Sequence, residues 1–205
     1  MAADAAGGRP PGRTPAETRD LLAGSLGVEV WLDEDSYPAT IEVPAGVWVQ
    51  SLTMLRDAGL DYFDWMSAVD HGADGFHVVA HLASVGAPGS VTHVLVRTTL
   101  PALDPSLPTA TGVFRGAAWH ERETHEMFGI GFEGHPHLVP LLLPDAFEGH
   151  PLRKDFMLAA RAAKAWPGAK EPGESGDGVP SSRRRLQPPG VPDAAWGPRE
   201  PGAPA

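Results

Sequence analysis

The sequence predicts an α+β fold: an antiparallel sheet with helices packed on one face, followed by an extended Pro/Gly-rich C-terminal arm. Three observations carry this expectation. His77, Val79 and His81 alternate with Phe76, Val78, Ala80 and Leu82, the period-two signature of a strand buried on one side. The stretches joining the strand candidates, 70–75 and 86–90, have turn chemistry and fall far short of the dozen or more residues that a parallel crossover needs. Three segments with apolar residues at helical spacing each stop at a glycine, Gly27, Gly59 and Gly129, the residue that most readily takes the left-handed conformation just past a helix.

Taken in order, residues 1–15 hold three prolines and three glycines and read as a disordered lead. A domain is expected over 16–156. Its first helix covers 16–26, with Leu21, Leu22 and Leu26 on one side, Thr14-Pro15 as cap and first-turn residue, and Gly27 as stop. Residues 28–32 and 40–43 flank the turn-rich Asp33-Glu-Asp-Ser-Tyr-Pro38 and form a strand pair. A second helix is expected over 46–58. Strands follow at 62–69, 76–83 and 91–98, then a loop over 101–108, a short lead-in over 109–116 and a third helix over 117–128. The last 49 residues, 157–205, contain 9 Pro and 7 Gly, above the share at which aperiodic segments fold alone. They read as an arm ordered by a partner, with Trp166 and Trp196 as anchors.

Composition narrows the function. There is no cysteine, which excludes disulfides, thiolate-held iron–sulfur clusters and Cys-type zinc sites. Residues 1–156 hold 9 Lys/Arg against 21 Asp/Glu, a net of −12, and the remainder 7 against 5, a net of +2; an acidic body of this kind is no binder of phosphate backbones. The first twenty residues lack an apolar signal core, and no run of about 18 apolar residues occurs. The expectation is a chain that is neither secreted nor membrane-spanning by itself.

The densest information lies in 117–156. The third helix, Ala117 to Phe128 in sequence, puts Trp119, Arg122, Glu123, Glu126 and Met127 on one face at 100° per residue. That mixture of acids, arginine and apolar groups suits a partner better than water. A five-residue word then occurs twice, Phe132-Glu-Gly-His-Pro136 and Phe147-Glu-Gly-His-Pro151. In each copy glycine permits a turn and proline extends the preceding histidine, so the imidazole is held in a fixed direction with phenylalanine as anchor. The second copy runs directly into Leu152-Arg-Lys-Asp-Phe156.

This segment resembles the 30 kDa subunit family of respiratory complex I, the C-type subunit of NADH-quinone oxidoreductase. The matching words are Trp119-x-Glu121-Arg122-Glu123, Met127-Phe-Gly-Ile-x-Phe132, Gly134-His135-Pro136-x-Leu138 and Phe147-Glu-Gly149-His150-Pro151-Leu-Arg153-Lys154-Asp155-Phe156. Two departures stand out: His125-Glu126 where the family has Trp-Asp, and Val139-Pro140 where it has Arg-Arg. The resemblance implies a peripheral-arm subunit that binds no cofactor and packs against the large 49 kDa-type D subunit. NADH, FMN, iron–sulfur clusters and quinone would act in other subunits of a proton-translocating oxidoreductase on the cytoplasmic side of the cell membrane. The words above are then interface residues, and no catalytic, cofactor-binding or metal-ligating residue is assigned.

Other chemistries leave weaker traces in the residues. His120 and His125 lie five positions apart, about 140° around a helix, and cannot share an ion as a His-Glu-x-x-His pair does. His135, His137 and His150 could converge on a metal, although pinning of each His-Pro turn by hydrogen bonds is the simpler role. His77 and His81 share one strand face, as ligands would, but a polar sheet face exposed to solvent is the commoner explanation. Glu121, Glu123 and Glu126 point to ion pairing with Arg122, and Arg153-Lys154-Asp155 to a docking contact whose arginine grips a partner's carboxylates. The rival functions are the equivalent subunit of a membrane-bound hydrogenase or of a dehydrogenase with another electron donor and, from a different class, a free-standing histidine-dependent metalloenzyme.

Overall fold

In the computed structural model of the chain the described residues are 13–87, 90–144 and 146–157. The expected lead and arm, with Trp166 and Trp196, lie almost wholly outside them. The chain divides into two units, Met1–Asp155 and Phe156–Ala205, and the helices and strands of the described residues lie in the first.

Helix α1 (Pro15–Leu26) begins where the sequence places it. The Thr14 hydroxyl accepts the Glu17 N–H at 3.2 Å while the Glu17 carboxylate accepts the Thr14 N–H at 2.9 Å, a reciprocal cap that satisfies two donors with no helical partner. Gly27 closes the helix at φ 64°. Helix α2 (Trp48–Asp57) starts two residues later than expected because 45–47 form a 3-10 turn behind Pro44.

Strands β1 (Trp31–Asp33), β2 (Thr40–Glu42), β3 (Tyr62–Asp70), β4 (Phe76–Ala87) and β5 (Ser90–Leu100) form one sheet in the order β1-β2-β5-β4-β3. Three pairings are antiparallel, as the short turns require; the fourth, β2 on β5, is parallel, with Ile41 opposite Val96. The sheet is therefore mixed. Turn lengths fix how consecutive strands meet, but β2 and β5 are separated by α2 and a hairpin, so their pairing has no local signature. A second, two-stranded parallel ladder joins β6 (Ser106–Pro108) to β7 (Gly131–Glu133). Its first strand lies inside the expected loop, and its second runs through the first Phe-Glu-Gly-His-Pro word.

One face of the large sheet is dry. Ile41, Met66, Phe76, Val78, Ala80, Leu82, Val94 and Val96 are buried in a single cluster with Leu22 of α1, Trp48, Leu52 and Leu55 of α2, and Ala117 and Phe128 of α3 (Ala117–Phe128). Each such side chain contributes about 1.5–3 kcal/mol by leaving water. The opposite face carries the exposed Trp31, Trp65 and Val69 together with Glu42, His77, His81, His93, Arg97 and Thr99. Among the described residues, helices thus cover one side of the sheet only. No helix among the described residues is long and apolar enough to cross a membrane.

Candidate docking site around helix α3

An α-helix leaves its last four carbonyls without helical partners. In α3 all four are met by residues 129–153. Gly129, at φ 75°, donates its N–H to His125 O at 2.8 Å; His150 Nδ1 donates to Glu126 O at 2.8 Å; Leu152 N–H donates to Met127 O at 3.1 Å; Arg153 Nη1 reaches Phe128 O at 3.4 Å. The second copy of the repeated word is therefore a helix cap. Gly129 is required twice over, because a Cβ there would stand 2.8 Å from the His150 ring as well as strain a left-handed backbone.

The first copy holds the other end. His135 Nε2 donates to Ala118 O at 3.1 Å in the first turn, and His135 Nδ1 accepts the His137 N–H at 3.0 Å, which fixes a neutral tautomer. Gly134 and Gly149 take φ 79° and 89°, as the turns demand. Phe132 is buried as an anchor, whereas Phe147 is 39% exposed and does not repeat that role. His135 and His150 grip α3 eight residues apart, about 12 Å along its axis, so they do not converge as ligands; His137 is exposed.

The glutamates behave differently from one another. Glu121 is fully buried and accepts the Thr109 hydroxyl and the Ala110 N–H, with His135 Nε2 at 3.9 Å. Burial pushes its carboxyl above the ordinary 4.5, against the pull of those two hydrogen bonds. Glu126, also buried, accepts three consecutive N–H groups, from Leu141, Leu142 and Leu143, at 2.8–3.2 Å. Burial works to raise its pKa, but the three bonds and the Arg122 charge together hold it below 4.5. Glu123 is exposed.

Arg122 makes no hydrogen bond to these acids. Its guanidinium donates to Val139 O at 2.9 Å and Pro140 O at 2.7 Å and lies over the Trp119 ring. The expected glutamate pairing gives way because the apolar run folds back along α3 and presents bare carbonyls. Trp119 (62% exposed), Leu142 (59%) and Leu152 (54%) are consequently left on the surface beside α3.

Arg153, Lys154 and Asp155 are split in orientation. Arg153 is turned inward, over the Phe76 ring at 5.2 Å and bonded to Phe128 O, with Asp155 at 3.2 Å. Lys154 is exposed, while its backbone N–H binds the buried Asp70 carboxylate at 2.7 Å. Burial would raise the pKa of Asp70, yet bonds from the Lys154 and Gly72 N–H groups and the two neighbouring cations lower it. Pro136 and Pro151 follow the two gripping histidines in sequence. Asp70 and Thr109 escaped the sequence reading; an aspartate directly before a His-Gly turn is the signal that could have marked the first.

Residues 41–162 match the family described as "Respiratory-chain NADH dehydrogenase, 30 Kd subunit". The chain belongs to this 30 kDa subunit family. It is 36% identical over 176 residues to the C/D subunit of an NADH-quinone oxidoreductase of Acinetobacter baumannii (strain AYE), a match covering 77% of this chain and 29% of that protein. It is 35% identical to the J subunit of an NAD(P)H-quinone oxidoreductase of Synechococcus sp. (strain WH7803), over 63% of this chain and 81% of the relative. The chain thus spans less than a third of the C/D relatives' length. Among solved structures, a trypsin-resistant fragment of Nqo5 is similar at TM-score 0.53 and 25% identity, covering 61% of this chain and all of the fragment. A chain of an archaeal membrane-bound sulfane sulfur reductase shares the fold at TM-score 0.59 and 24% identity, over 69% and 84% of the two chains. The α+β fold with the mixed sheet described above is thus similar to that of the Nqo5 fragment.

Proposed function

We propose that this chain is a structural subunit of a membrane-associated, proton-translocating NADH-quinone oxidoreductase and docks onto the large D-type subunit through the surface built on α3. The observation that carries the reading is the match to proteins whose name joins the C and D subunits, since sequences fused in one chain act side by side. The geometry supports a docking role: a helix clamped at both ends leaves Trp119, Leu142 and Leu152 exposed beside it, and Lys154, two residues beyond Leu152, is exposed as well. Electron transfer from NADH through FMN and iron–sulfur clusters to quinone then runs in other subunits, and the chain reaches the cytoplasmic side of the membrane through them.

The test is affinity purification of the tagged chain from detergent-solubilised membranes. A D-type subunit and NADH-quinone reductase activity should come with it; recovery of the chain alone, or with partners that oxidise a donor other than NADH, rejects the reading. Trp119→Ala and Lys154→Glu should lower that recovery while the isolated chain stays folded.

A further inference from the structure

The solvent face of the sheet, opposite α3's side, holds a group of histidines that the docking role leaves unused. His81 of β4 and His93 of β5 are diagonal neighbours, because His81 pairs with Leu95 and Ala83 with His93; such neighbours lie within reach of long side chains. Their ring nitrogens, His81 Nε2 and His93 Nδ1, approach to 3.1 Å. Behind them, Asp64 sits at the register break between Phe63 and Trp65, an irregularity of the kind that re-aims a side chain. Its carboxylate accepts His81 Nδ1–H at 2.8 Å. That bond places a proton on Nδ1, so in the neutral imidazole the lone pair is on Nε2, the nitrogen that faces His93. Trp65 stacks on the His81 ring at 5.9 Å and Tyr37 stands edge-on to His93 at 5.3 Å, so both rings are oriented, and the His81 side chain is only 14% exposed.

We propose that His81 Nε2 and His93 Nδ1 form a two-imidazole site for a divalent first-row metal ion of the zinc type, with Asp64 as the orienting carboxylate. Imidazole nitrogens about 2.0–2.1 Å from one tetrahedral zinc ion lie about 3.3 Å apart, close to the separation here. A carboxylate on the far nitrogen of a ligating histidine is the usual outer partner at such sites, fixing the ring and raising its basicity. Imidazole selects zinc, copper, nickel and cobalt over magnesium and calcium. No third His, Asp or Glu among the described residues completes the set, so water fills the remaining positions and the ion is exchangeable. In the free protein one proton bridges the two rings; on binding, His93 carries its proton on Nε2 and both facing lone pairs go to the metal. The site is independent of the proposed docking surface.

The experiment titrates the chelator-treated full chain with Zn2+ by calorimetry at neutral pH and follows imidazole nitrogens by NMR. One saturable equivalent is expected, with the His81 Nε2 and His93 Nδ1 resonances shifting. Binding is lost in His93→Gln and His81→Ala, is weaker by about 10–100-fold in Asp64→Asn, and is unchanged in His77→Ala. Melting curves identify any variant that fails to fold, and His93→Gln, at a surface position, decides the matter if His81→Ala does. No saturable binding, or equal binding by His93→Gln and the parent, overturns the site and leaves a hydrogen-bonded histidine pair.

Discussion

The Glu126 carboxylate holds the Leu142 N–H at 2.8 Å, and with Leu141 and Leu143 it organises three successive residues of an otherwise apolar loop around one buried charge. Glu126→Gln should destabilise the domain by about 1–3 kcal/mol, because an amide offers one acceptor and turns a donor toward donors. Since the folded carboxyl titrates below its ordinary 4.5, its contribution is complete above pH 4.5 and disappears as pH falls through the lowered value. Chemical denaturation between pH 3 and 7 should show a shallower acid slope in the variant; an unchanged slope would falsify this role. Asp70, Glu42 and Glu17, shifted the same way, contribute to the slope that remains.

Glu121 should respond with the opposite sign. Its folded pKa is raised by burial, so ionisation costs stability as pH rises through 4.5 toward the raised value. Glu121→Gln keeps an acceptor for the Ala110 N–H and a donor for Thr109, and should be as stable as the parent or more so at pH 7. Glu121→Ala strands the Ala110 N–H and should cost about 1–3 kcal/mol. A melting temperature for Glu121→Gln well below that of the parent at pH 7 would count against the account.

Gly129 and Gly24 make a matched pair. Gly129→Ala meets both a φ of 75° and the His150 ring, and should cost about 1–3 kcal/mol, a fall of several degrees in Tm. Gly24, exposed within α1 with open space around it, should gain about 0.5–1 kcal/mol on substitution by alanine. Equal behaviour of the two in thermal melts contradicts the capping geometry.

The two cations after the second turn should separate. Arg153→Glu loses the Phe128 carbonyl and the face of Phe76, so Tm falls in the isolated chain. Lys154→Glu keeps the backbone bond to Asp70 and loses only a cation that favours the Asp70 charge, so Tm falls less than in Arg153→Glu, while co-purification with a D-type subunit drops and becomes salt-dependent. Full assembly of Lys154→Glu at both low and high salt removes Lys154 from the interface.

Helices and hairpins were legible because their signals are local: the Thr14 to Glu17 cap, the stops at Gly27 and Gly129, the alternation through 76–82. The parallel β2–β5 pairing was not, since it joins Ile41 to Val96 with no turn between them. At the candidate docking site, the repeated word announced fixed turns, and their glycines do take positive φ. What it did not announce is that each histidine seeks a helix carbonyl, or that Arg122 prefers the carbonyls of Val139 and Pro140 to adjacent glutamates. Those choices depend on the path of 138–143 along α3. The His81 and His93 pair, twelve residues apart, depends on strand register in the same way.

The double grip on α3 also bears on the order in which the chain folds. Its bonds, Ala118 to His135 and Glu126 to His150, span 17 and 24 positions, whereas β2 must find β5 across 55 positions. Loop closure grows costlier with length, and non-local pairings are the slow ones. The grip on α3 is therefore expected to form before the β2–β5 pairing, and pulsed hydrogen exchange should find the amides of α3 protected before those of β2.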